Sequence, residues 1–276
     1  MDLDVLAPTH ARGGTLAAPL ALIDPGAPAG IALAPETTVA RNPAEILAAL
    51  MDFSGSVALA ELLAAEPPDG PSHPDAARLG NTLMHEVRAR LDSLLPLALK
   101  PLSGRRAPAP PPTAALLALI RAHAGDVRPS AQAAQHIATE LGAPLRSALA
   151  TSLRQAQAHV ATLRWEIAHE LRALGPRADR LERIDAALQR SIQVKLGELL
   201  DRMEHAGMLT FERACLRACE NLPAQPTEEA LSRWVVETGW IERYRERCVR
   251  MTRALYGHLR RSLEGLLRAA THAESP

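Results

Sequence analysis

Residues 175–207 read GPRADRLERIDAALQRSIQVKLGELLDRMEHAG. Within them Leu181, Ile184, Leu188, Ile192, Leu196, Leu199 and Met203 recur at steps of three and four. That spacing puts all seven on one side of a helix, whereas a strand would alternate. Gly175-Pro176 marks the start, because glycine ends a preceding helix and proline suits the first position of the next. Gly207 reads as the stop.

The pattern extends both ways. Upstream, Leu145, Leu149, Leu153, Val160, Leu163, Ile167, Leu171 and Leu174 are spaced by three, four or seven and end at the same Gly175-Pro176. Downstream, a shorter helix is expected around Phe211–Asn221. Thr227 with Glu228 and Glu229 opens another that ends at Gly239. Ile241, Tyr244, Cys248, Met251, Leu255, Leu259, Leu263 and Leu266 then carry a final long stripe. Three helices of roughly 30 residues would each be about 45 Å long. The tight turn makes the first two antiparallel neighbours. Mixed three- and four-residue steps belong to a bundle or an antiparallel coiled coil, in which every stripe is covered by another helix of this chain or of a partner.

Composition agrees. Of 276 residues, 47% are apolar and only 3% aromatic, and the apolar share is mainly Ala and Leu, both good helix formers. The expected fold class is all-α, an elongated helical bundle with long C-terminal helices. The length suits one large domain or two small ones.

The first part of the chain is less regular. Residues 1–42, broken by Pro8, Pro19, Pro25, Pro28 and Pro35, read as a disordered tail. Asn42, Pro43 and Glu45 then form an N-cap signature, followed by Ile46, Leu47 and Leu50. Phe53-Ser54-Gly55-Ser56 breaks or restarts that helix, which runs to about Ala65. A further helix is expected from Asp75 to Leu95, with Leu79, Met84, Val87, Leu91 and Leu94 as its stripe and Pro96 as its end. Residues 43–102 thus form an N-terminal helical region. Residues 103–113, with Pro108-Ala109-Pro110-Pro111-Pro112, form a stiff linker, and 114–270 form the C-terminal bundle, with 271–276 a tail. Thr113 caps a helix through His123, and Ser130 caps another through Leu141.

Net charge is zero, but six basic and twelve acidic residues lie in 1–100, against 25 basic and 19 acidic in the remainder. Three cysteines, Cys215, Cys219 and Cys248, fit no disulfide scaffold, and the acidic N-terminus lacks the basic region of a signal peptide. A cytoplasmic location without membrane insertion is the expectation.

No sequence motif for catalysis is complete. His85-Glu86 and His169-Glu170 begin a His-Glu-x-x-His pattern, but Ala89 and Ala173 stand where its second histidine belongs. Cys215 and Cys219 share a helix face and could begin a metal site, or be small core residues. No phosphate loop and no nucleophile elbow occurs. The expectation is therefore a non-enzymatic chain with no cofactor and no metal. An enzyme would need a cluster from separate helices, such as His159, His169 and Glu170 with His205.

The final helix is basic: eight arginines against Glu242, Glu246 and Glu264 between Trp240 and Ala270. Arg243, Arg247, Arg250, Arg253, Arg260 and Arg261 are candidate nucleic-acid contacts, with Trp240 and Tyr244 available to stack on bases. A solvated or partner-facing surface is the other reading of the same charges.

Three stretches carry a resemblance. They are Phe53-Ser54-Gly55-Ser56-Val57-Ala58-Leu59-Ala60-Glu61-Leu62-Leu63, Pro176-Arg177-Ala178-Asp179-Arg180-Leu181-Glu182-Arg183-Ile184-Asp185-Ala186-Ala187-Leu188, and the Arg-rich ending from Trp240 through Leu267. Here the chain resembles the uncharacterised proteobacterial family DUF 3348. The resemblance implies a neighbourhood rather than a chemistry, since such proteins are similar to components encoded beside proton-driven motor proteins of the MotA and OmpA-like kind, including one type of Zorya anti-phage defence system. The implied role is a cytosolic accessory or effector of an inner-membrane motor complex. Self-association or a protein partner is the first functional expectation, and nucleic-acid binding through the last helix is the alternative.

Overall fold

The computed structural model describes residues 53–65, 74–103, 107–124, 129–223, 225–236 and 239–271. The expected tail 1–42, the cap at Asn42 and residues 272–276 lie outside them. The fold is all-α, with eight helices among the described residues. They are α1 (Phe53–Ala64), α2 (Ala76–Leu99), α3 (Thr113–Ala124), α4 (Ala131–Glu166), α5 (Ala168–Ala173), α6 (Pro176–Glu220), α7 (Glu228–Val236) and α8 (Trp240–Thr271).

Several boundaries follow the capping chemistry. The Ser130 hydroxyl accepts from the Ala133 amide at 3.2 Å, and the Thr227 hydroxyl accepts from the Ala230 amide at 3.2 Å. Gly175 adopts φ 143° ahead of Pro176, which only glycine does without strain.

Helix α1 begins at Phe53, the first residue of the stretch expected to break or restart the first helix. Other expected breaks are bridged. Helix α2 continues past Pro96 to Leu99. The proline removes the amide that would bond the Asp92 carbonyl, but Ala98 and Leu99 are buried, and the Tyr256 hydroxyl of α8 donates to the neighbouring Leu91 carbonyl at 2.6 Å. Helix α4 runs unbroken through Gly142-Ala143-Pro144 for 36 residues, and α6 runs through Gly207 for 45. Both glycines are close-approach points. A Cβ on Gly142 would meet Phe211 Cδ1 at 2.9 Å, and one on Gly207 would meet Leu149 Cδ2 at 2.8 Å. Pro144 faces outward, where water can reach the carbonyl it leaves unpaired.

Four helices build the bundle: α4 and α8 touch each other, and α2 and α6 each pack on both. Cross-links set the directions. Arg146–Glu204 and Arg164–Asp185 run α6 antiparallel to α4. Tyr256–Leu91 and Arg260–Asp92, with Gly80 packed on Thr271, run α2 antiparallel to α8. Because Gly207 of α6 meets both Leu149 of α4 and Tyr244 of α8, while Arg164 of α4 meets Ser262 of α8, α4 and α8 are parallel. At 45 residues, α6 is about 68 Å long. One hydrophobic core joins Leu83, Val87 and Leu91 of α2 to Leu149, Leu153, Phe211 and Leu263 of the later helices.

Helix α1 lies on α6, and Arg180 Nη2 donates to the carbonyls of Leu62, Leu63 and Ala65 at the α1 C-terminus. Ile184 and Leu188 follow Arg180 at i+4 and i+8, so this part of the leucine stripe lies along α1 rather than in the bundle core. No described helix is long and apolar enough to cross a membrane.

Candidate functional site

The basic helix divides into two groups. Arg243, Arg250, Arg253 and Arg261 are exposed and form no ion pair among the described residues. At about 100° per residue, Arg243, Arg250 and Arg261 lie within about 20° of one another around α8 and span about 27 Å of its length. Arg247 is half-buried beside them. Arg260 belongs elsewhere: it pairs with Asp92 of α2 and with Glu264, which also receives Arg88 and Arg268. The Glu264 hydrogen bond, ahead of the Asp92 contact, raises the Arg260 pKa. Its sequence pattern is the same as that of its neighbours; only the packing of α2 on α8 separates it.

Trp240 and Tyr244 are not available for stacking. Both are buried, with the Phe211 ring 5.3 Å from Trp240 and 5.0 Å from Tyr244. Trp234 adds to this cluster and donates its indole N–H to the Ala218 carbonyl at 2.8 Å. The apolar periodicity of α8 wins over any surface role, since residues 240, 241, 244, 248 and 251 all face the core.

Beneath these rings lie the thiols. Cys215 and Cys219 do share a face, and a hydrogen bond between them pushes Cys215 up and Cys219 down. Burial pushes Cys248 up to about 11. All three are free and buried, and no group of three or more His, Cys, Asp or Glu among the described residues is placed to hold a metal ion. His85, Glu86, His169 and Glu170 are exposed helix residues.

His159, His169, Glu170 and His205 are not brought together. Pairing of Arg146 with Glu204 sets His205 level with about residue 145, so His205 lies about 21 Å along α4 from His159, with His169 farther still.

A feature the sequence pattern does not announce lies where α4, α5 and α6 meet. Here α6 turns Glu182, Asp185, Gln189 and Gln193 toward α4, and the seam opens into a cleft of about 480 Å³. Val160, Leu171, Leu196, Leu259 and Leu266 contribute its apolar lining. Its charges are paired: Arg164 with Asp185, Arg172 with Glu182 at 2.9 Å, and Arg90 with Glu166. Gln157, Gln189 and Gln193 line it, and their side chains form no hydrogen bond among the described residues. Trp165, 79% exposed, stands at its edge. The signal in the sequence was the polar run Glu182, Asp185, Gln189, Gln193, spaced by three and four along the edge of the leucine stripe.

No protein-family model, no curated protein and no solved structure matches the chain.

Proposed function

We propose that the chain is a non-enzymatic helical interaction or assembly protein. One observation carries the reading. Glu61 is the only charged residue of α1, and the side of that helix turned away from α6 bears Val57, Ala60, Leu63 and Ala64, with Leu63 57% and Val57 41% exposed. Glu61 shares that exposed side with them, so the side is mostly apolar with one charge, the pattern of a helix face that takes a partner helix. The occupant that suits this face is an amphipathic partner helix lying along α1, in the helix-in-groove mode. The resemblance over Phe53–Leu63 supports placing that partner in an inner-membrane motor complex, with this chain its cytosolic accessory or effector in a Zorya-like anti-phage system.

Light scattering on the full chain, alone and with the motor proteins co-expressed, tests this. The reading expects a defined oligomer or a stable complex that Val57→Glu with Leu63→Glu disperses while helicity is kept. A chain that stays monomeric and purifies free of the motor proteins refutes it.

The unpaired Arg243, Arg250, Arg253 and Arg261 favour a second reading, binding of a nucleic-acid backbone. Each phosphate neutralised steepens the salt dependence of binding by about one unit in log K against log salt. Replacing Arg243, Arg250 and Arg261 with Glu should abolish a shift seen with short DNA at low salt. Absence of any shift with DNA or RNA ends this reading.

A further inference from the structure

The cleft between α4 and α6 is an odd thing for a helical bundle to keep. Stability alone would fill the seam with apolar side chains, yet beside Val160 and Leu196 it also holds charged and carboxamide groups. Its polar lining is two acids and two carboxamides from α6, Glu182, Asp185, Gln189 and Gln193, with Gln157 and Arg164 from α4. Polar groups held inside a seam are expected where function competes with packing.

We propose that this cleft binds a planar, uncharged heteroaromatic ring with amide-like edges, a nucleobase carried as its nucleoside. Four observations converge on that class. The volume of about 480 Å³ falls within the roughly 300–1,000 Å³ of small-molecule clefts. Trp165 offers a free indole face at the edge, and stacking of a base on an aromatic ring is worth about 1–3 kcal/mol. Gln157, Gln189 and Gln193 bring three carboxamides, each a donor and an acceptor, whose hydrogen bonds are not consumed within the described protein. A carboxamide is the side chain that reads the paired donor and acceptor of a base edge. Finally, both arginines that line the cleft are held by its carboxylates, Arg164 by Asp185 and Arg172 by Glu182, and Glu166 pairs with Arg90 outside it, so no arginine is left free to recruit a phosphate. The ring and its edges are recognised; a 5′-phosphate is not. Leu259 and Leu266 of α8 reach the cleft from behind, so the ring is held against three of the four bundle helices.

The tryptophans provide the readout. Trp234 and Trp240 are 5% and 6% exposed, so quenching by a solute reports Trp165. The full chain is titrated with adenosine, guanosine, cytidine and uridine, following indole fluorescence and, in parallel, heat by calorimetry. At least one nucleoside is expected to quench saturably and to protect Trp165 from acrylamide, with its 5′-monophosphate binding no more tightly. Gln189→Leu and Gln193→Leu, which keep Trp165 and the side-chain bulk, are expected to weaken binding at least about tenfold while helicity stays constant. Gln193 is exposed, so its variant keeps the fold if the half-buried Gln189 variant does not. The proposal is overturned if no nucleoside binds saturably. It is equally overturned if quenching saturates but is indifferent to Gln193→Leu, since that describes stacking on a surface indole and not a built site.

Discussion

Replacing Tyr256 with Phe removes one hydroxyl and leaves the ring volume unchanged. Tyr256 is 2% exposed, and its hydroxyl ties α8 to α2 through the Leu91 carbonyl at 2.6 Å. A buried hydrogen bond of this kind contributes a net of about 0.5–1.5 kcal/mol. At neutral pH the variant should therefore lose about 1 kcal/mol, a fall in Tm of about 2–4 °C for a chain of this size. The pH dependence is more telling. Burial pushes the phenol up to about 12, with Asp92 adding to the rise and Arg260 opposing it. The neutral phenol is favoured in the fold, so its stabilisation is fully present below the unfolded value of about 10 and is lost as pH climbs from there through about 12. Urea midpoints of the two proteins, measured from neutral pH to about pH 12, should show a constant gap up to about pH 10. The gap should then close and reverse, at no more than about 1.4 kcal/mol per unit and less where water reaches the Arg260–Asp92 pair. Equal stability at neutral pH, or a gap that ignores alkaline pH, would refute the assignment.

Asp185→Asn leaves the Arg164 guanidinium, whose side chain is 14% exposed, without its carboxylate, and should cost about 3–5 kcal/mol in urea denaturation; an unchanged midpoint would mean that water replaces the pair freely. Gly142→Ala drives a methyl to within 2.9 Å of the buried Phe211 ring, so overpacking of about 1–3 kcal/mol should exceed the roughly 1 kcal/mol gained in helix propensity, and a higher Tm would contradict the close approach. Arg180→Ala removes the donor to three α1 carbonyls, so protease should cut within residues 53–65 faster while the far-ultraviolet melt of the bundle barely moves.

The long helices were legible because their apolar residues repeat at helical spacing and their starts carry real caps, at Ser130, Pro176 and Thr227. Their ends were harder. A glycine in a sequence can mean a break or a place where another helix comes close, and Gly142 and Gly207 differ from Gly175 only in what packs on them. Likewise the stripe Leu181–Leu188 announces burial but not by which neighbour, and α1 covers it where the bundle was expected. The same ambiguity governs the surfaces. Arg260 and Arg261 are adjacent, yet one serves α2 and the other faces solvent. Trp240 looked available and is core, while Trp165 is free. Partner identity decides each case, and a partner lies far away in the chain.

That distance bears on how the protein is made. Helix α2 leaves the ribosome well before its hydroxyl anchor, Tyr256, which lies 165 residues after Leu91, and its Gly80 end waits for Thr271, the last described residue. Helices α4, α5 and α6 can pair with near neighbours as they emerge, whereas α2 completes its packing only after α8 has emerged. During translation its apolar side, with Val87 and Leu91, must be shielded by a chaperone or held provisionally on α4. A chain cut before α8 would leave that side without its main cover, so it is α8 that turns a sticky intermediate into a packed bundle.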